Sequence, residues 1–164
     1  MPEFSHPLPI GPIGPAGRHE VLEADAEECA ALAARFGILG IEALRAELSL
    51  AAEEDGSVVA RGRLAATVTQ ECVVTLEPVR QAIAEAVVLR FLPPGREPED
   101  GPEDMDEIET GPGGVADLGE ALAEQLALAL DPYPRAPGAE LPAAAREEPA
   151  SPFAALAALR RDPH

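Results

Sequence analysis

Gln70-Glu71-Cys72-Val73-Val74-Thr75-Leu76-Glu77-Pro78-Val79 joins two long runs of alternating hydrophobicity. Before it, Val58, Ala60, Gly62, Leu64, Ala66, Val68, Gln70, Cys72 and Val74 share one parity, and Arg61, Arg63, Thr67, Thr69 and Glu71 share the other. A period of two is the pattern of a strand with one face on a core and the other in water. After it, Val79, Ile83, Val87, Leu89 and Phe91 repeat the alternation, with Arg80 and Arg90 opposite. Two such runs on either side of a Pro-containing connection predict an antiparallel pair.

Working upstream, Leu44, Ala46, Leu48 and Leu50 alternate with Arg45, Glu47 and Ser49, and Glu53-Glu54-Asp55-Gly56 supplies a hairpin turn into the first long strand. Asp25 and Glu28 form a capping box for a helix that carries Cys29, Leu32, Ala33 and Phe36 at helical spacing and stops at Gly37. Arg18 to Asp25, with Val21 and Leu22, reads as a short strand. Pro2, Pro7, Pro9, Pro12 and Pro15 exclude a helix at the start. Phe4, Leu8, Ile10 and Ile13 there predict an extended edge strand laid on the sheet.

Downstream, residues 93–114 are acidic and rich in Pro and Gly, a mobile loop with a brief strand at Asp106 to Thr110. Asp117 caps a helix whose stripe is Leu118, Leu122, Leu126 and Leu130, with Val115 ahead of it and Glu120 at the capping-box position. Asp131-Pro132-Tyr133-Pro134 ends it. Residues 132–150 form a Pro/Ala-rich tether, and Ser151 with Pro152 opens a last helix whose stripe is Phe153, Leu156 and Leu159. The expected fold is α+β: an antiparallel β-meander sheet of four or more strands with two to three packed helices. One domain spans 1–131, and a C-terminal helix and tail occupy 151–164.

The 30 acidic residues against 12 basic ones, all arginine, leave a formal charge of −18. Phosphate is repelled by such a chain unless its arginines gather on one face, so the charge favours a basic protein partner over RNA. Aromatic residues make up 3% of the chain and Trp is absent, so a modest core of Leu, Val, Ile and Ala is expected. Cys29 and Cys72 are too few for a disulfide framework, and no signal peptide or membrane-length apolar run is read in the sequence. A cytoplasmic protein with reduced thiols is the expectation.

Gly62, Cys72, Leu76, Pro78 and Val79, then Asp117, Leu118 and Glu120, then Pro152-Phe153-Ala154-Ala155-Leu156-Ala157-Ala158-Leu159 follow one another in a familiar order. In this the chain resembles the YceD-like proteins, a family linked to accumulation of large-subunit ribosomal RNA. The resemblance implies a non-enzymatic factor in large ribosomal subunit biogenesis, needed for 23S rRNA to accumulate. Many members of that family carry Cys-x-x-Cys-Leu at the strand junction and a second cysteine pair after the long helix, a credible zinc set. Here Thr75 replaces the second cysteine, and Tyr133-Pro134-Arg135-Ala136-Pro137 occupies the second pair's place. No metal and no cofactor is expected, and Cys72 reads as a small buried hydrophobe.

Other chemistry finds little footing. Asp100-Gly101-Pro102-Glu103-Asp104-Met105-Asp106-Glu107 is rich in oxygen ligands but lacks the EF-hand order. Gly111-Pro112-Gly113-Gly114 has no Lys to hold a phosphate, and Ser5, Ser49, Ser57 and Ser151 have no evident His partner. A Cys29–His19 dyad competes poorly with a core-facing Cys29. An enzyme is not expected. The partner-binding candidates are Glu97, Glu99, Asp100, Glu103, Asp104, Asp106, Glu107 and Glu109, which would steer a basic ribosomal protein or a pre-large-subunit particle, with Phe153, Leu156 and Leu159 as apolar anchors. The alternative is direct nucleic-acid binding through Arg61, Arg63, Arg80 and Arg90 on one sheet face.

Overall fold

A computed structural model describes residues 3–98 and 106–138. In chain order the elements are β1 (Pro7–Pro9), β2 (Arg18–Glu23), α1 (Ala26–Phe36), β3 (Gly40–Ala52), β4 (Val58–Glu71), β5 (Pro78–Leu92), β6 (Asp106–Glu109), β7 (Val115–Asp117) and α2 (Leu118–Ala129). Five strands form one sheet in the order β2-β3-β4-β5-β6. The first four pair antiparallel as a meander, with α1 inserted between β2 and β3. The fold is therefore α+β, with two helices and a mostly antiparallel sheet among the described residues.

The alternation read in the sequence sets the two faces. Leu44, Ala46, Leu48 and Leu50 on β3, Ala60, Leu64, Ala66 and Val68 on β4, and Ile83, Val87, Leu89 and Phe91 on β5 are all buried on one side. Leu32 of α1 and Leu118, Leu122 and Leu126 of α2 are fully buried in the same core. The other side carries exposed Arg45, Glu47, Ser49, Arg61 and Arg63. Among the described residues it is a two-layer body whose outer sheet face is uncovered.

Three expectations need correction. The N-terminal segment does not extend the main sheet: β1 pairs with β7 in a separate two-stranded ribbon, Leu8 opposite Ala116. Pro7 and Pro9 have no N–H to give a long ladder, so three residues of ribbon are what that sequence supports. Phe4, Leu8, Ile10 and Ile13 still reach the core. Second, the brief strand expected near Asp106 is present as β6 but runs parallel to β5, Asp106 opposite Leu89 and Glu109 opposite Leu92, so the sheet is not wholly antiparallel. Third, β4 ends at Glu71, which puts Val74 in the connecting turn.

The body also runs past residue 131. Pro134 is buried, its carbonyl accepts from the Val73 N–H at 2.9 Å, and Gln70 Nε2 donates to the Asp131 carbonyl at 2.9 Å. The tether expected over 132–150 thus begins as packed chain. The rest of it, with the C-terminal helix expected over 151–164, lies outside the described residues.

Gly62 sits mid-strand among large inward neighbours because β3 leaves no room beside it. A Cβ there would stand 1.7 Å from the Glu47 carbonyl oxygen. Gly62→Ala must push two central strands apart, and a loss of at least about 2 kcal/mol is expected. Urea unfolding measures it; an unchanged midpoint would count against the close approach.

Candidate functional site

Two clusters hold the motif residues. The first is the β4–β5 turn. The Cys72 N–H donates to the Glu77 carbonyl at 2.8 Å, and the Leu76 N–H donates to the Cys72 carbonyl at 2.9 Å. Leu76 takes the left-handed conformation, φ 63°, that this closure requires. Pro78 follows as the first residue of β5, opposite Glu71.

The Cys72 side chain is fully buried, and its Sγ accepts N–H groups from Val74 and Thr75 at 3.4 Å and from Ala136 at 3.2 Å. Those donors stabilise a thiolate more than a thiol. The Thr75 hydroxyl, opposed by desolvation and aided by the three N–H groups, brings the Cys72 pKa down to about 7. Cys29, on the core face of α1, behaves oppositely: burial, then the charges of Asp25 and Glu28, push its thiol up. His19 lies on the outer sheet face, so the Cys29–His19 dyad is not assembled.

The second cluster is the head of α2. Asp117 Oδ1 accepts the N–H groups of His6 at 2.8 Å and Glu120 at 3.1 Å, and Oδ2 accepts the Ser5 hydroxyl at 2.6 Å. Burial acts to raise the Asp117 pKa, but Ser5 and the N–H groups of His6, Glu120 and Gly119 outweigh it and hold the carboxylate below its ordinary value. Glu120 does not complete a capping box. Its carboxylate takes both terminal nitrogens of Arg35, at 2.8 and 3.0 Å, and Arg35 also donates to Glu3 at 3.1 Å. By contrast, both halves of the Asp25–Glu28 box are formed.

The charged candidates are dispersed. Of the nine described arginines, Arg18, Arg35, Arg45, Arg80, Arg90 and Arg96 each have a carboxylate partner, leaving Arg61, Arg63 and Arg135 without one. Arg61 and Arg63 are neighbours on the outer face of β4. Arg90 lies beside them on β5 but is held by Glu53 at 2.8 Å and faces Glu107 at 3.6 Å. Arg80 pairs with Glu42 at 2.6 Å and stands opposite Thr69. That is about 26 Å along β4 from Arg61, at about 3.3 Å per residue. The expected four-arginine face is therefore two separate places.

Among the acidic candidates, Glu97 and Glu109 are exposed, Asp106 accepts from Gln125 at 3.0 Å, and Glu107 turns to Arg90. Glu99, Asp100, Glu103, Asp104, Pro152, Phe153, Leu156 and Leu159 lie outside the described residues. Two features went unread in the sequence. A cleft of about 390 Å³ on the outer face is lined by His19, Ser49 and Arg61, among others. Exposed Leu39, Val73, Leu76 and Tyr133 gather at the β4–β5 turn end. Both depend on strand register and on where the chain goes after α2, which local patterns do not report.

A family model described as large ribosomal RNA subunit accumulation protein YceD matches residues 60–160. The chain belongs to this family. Within the matched range the motif residues Cys72, Leu76 and Pro78 close a turn, and Asp117, Leu118 and Glu120 clasp α2 to the N-terminal segment and α1. Comparison with curated proteins finds no match, and comparison with solved structures finds none either. No helix among the described residues is long and apolar enough to cross a membrane, and no three His, Cys, Asp or Glu side chains there are grouped to hold a metal.

Two outcomes follow. The native Cys72 thiol titrates near 7, against an ordinary 9.0, so the native state binds fewer protons between those values and its stability rises with pH across that window. Thiolate absorbance in the native chain should therefore grow from pH 6 to 8 and vanish in Cys72→Ser but not in Cys29→Ser. For Asp117 the native pKa is lowered, so its contribution is present at neutral pH and lost as pH falls through that native value. Asp117→Ala should cost about 1–2 kcal/mol at pH 7 and flatten the acid limb of the stability profile.

Proposed function

We propose that this YceD-family protein acts without catalysis, as an acidic holder of a basic ribosomal protein or of the pre-large-subunit particle that carries one. The family's name ties it to accumulation of large-subunit ribosomal RNA. One observation carries the holding reading. Most described arginines are already neutralised within the fold, so the surplus of carboxylates behind the −18 charge is what the molecule presents to its surroundings. The acidic segment 97–109, which supplies the β6 edge, is the steering surface. Opposite charge on a partner raises its encounter rate and disfavours phosphate, the competitor in a ribosomal setting.

Direct RNA binding across Arg61, Arg63, Arg80 and Arg90 as one patch has less support, because two of the four are tied to carboxylates and one of those stands at the far end of the strand. The holding reading is tested by pull-down of purified basic ribosomal proteins on the full chain in rising salt. At least one should be retained at low salt and released as screening sets in, with a Debye length of about 10 Å at 0.1 M. Retention of none, or retention indifferent to salt, would sink it.

A further inference from the structure

The bare face of the sheet holds one place where the sign of charge reverses. Register aligns His19 with Ser49, Ser49 with Arg61 and Arg61 with Val88, a single row across four strands. The cleft of about 390 Å³ opens at this row, bordered by Arg18, His19, Ser49, Val59 and Arg61, with no acidic residue among those that line it. The Arg18 guanidinium is engaged by Glu20, but Arg61 has no carboxylate partner among the described residues. One step along the same face stands Arg63, about 6.6 Å away at a rise of about 3.3 Å per residue. Its register neighbour Glu47 is taken up by Arg45 at 2.8 Å, and Arg63 has no ion-pair partner among the described residues.

Gly17 makes the cleft wall possible. Its φ is +84°, and a Cβ there would meet the Leu50 carbonyl oxygen at 2.7 Å, so only glycine lets this loop close onto β3. Beyond the arginines, Ala65, Ala84 and Ala86 keep the β4–β5 part of the face low. A guanidinium fork, an imidazole and a hydroxyl bordering an open cleft whose lining residues are not acidic are donors for an oxyanion, and Arg presents the fork geometry that phosphate oxygens match.

We infer that His19, Ser49, Arg61 and Arg63 form a binding site for a phosphoryl group. Two sources carry that chemistry: the backbone of a single RNA strand lying over the alanine-lined surface, or a free phosphate. The site stands apart from the holding of a basic protein, so a chain that retains such a protein but takes up no phosphate refutes this inference alone.

The test uses the full chain. Amide resonances are followed while inorganic phosphate is added at constant ionic strength, and fluorescence anisotropy follows a labelled single-stranded RNA oligonucleotide over a range of salt. His19, Ser49 and Arg61 should shift with either probe if the site exists. Uptake of RNA whose log–log salt slope falls by about 2 in the Arg61→Gln/Arg63→Gln double variant identifies the polynucleotide as the source. Uptake of phosphate with no RNA binding identifies the small ion. Circular dichroism establishes that the double variant is folded, as two solvent-facing substitutions should allow. Arg80→Gln, at the other end of the sheet, should leave binding unchanged. No shift at these three residues with either probe overturns the inference, as does an equal loss of RNA binding in Arg80→Gln.

Discussion

One buried face has to be covered by very little material. The sheet presents its apolar side chains to two helices of 11 and 12 residues, with no Trp in the chain to fill space. What completes the cover is the N-terminal segment, and Asp117 is what holds it there. A single carboxylate accepts from Ser5, His6 and Glu120, so it both starts α2 and ties down the chain that carries Phe4 and Leu8. Gly119 lets that chain approach, since a Cβ there would lie 2.6 Å from the Phe4 carbonyl oxygen. Arg35 then links α1 to α2 and to Glu3, which closes the layer from the other side. The Asp-Leu-x-Glu motif is read most directly as this clasp.

The same economy explains the turn between the long strands. Cys72 follows the last residue of β4 with its sulfur turned inward, and the chain leaving α2 returns to supply the Ala136 N–H to it. Gln70, two residues earlier on the same parity, supplies a second tie through the Asp131 carbonyl. A polar amide on the inward parity would be a liability in an apolar layer. Here it marks where the layer ends and the returning chain begins.

Alternation and capping were legible because each depends on neighbours in sequence. The parity of Val58 to Cys72 placed every inward side chain of β4, and Asp25, Glu28 and Gly37 bounded α1 to the residue. What escaped depends on partners far along the chain. Nothing near Pro7 announces pairing with residues around 116, and nothing near Asp106 says that it will run parallel to β5. Glu120 matched a capping-box spacing, yet a bidentate Arg35 some 85 residues away won its carboxylate. The candidate sites divide in the same way. The adjacency of Arg61 and Arg63 follows from alternation alone, but the separation of Arg80, the tethering of Arg90 and the alignment of His19 in one row with Arg61, across Ser49, are facts of register.

The short strand Asp106–Glu109 has a further effect. It is an outer rim of the sheet, with unpaired backbone groups that in other proteins recruit a second molecule into a growing ladder. Three of its four side chains are carboxylates. Two molecules meeting rim to rim would set like charges against each other at every attempt, so this edge resists stacking into fibrils.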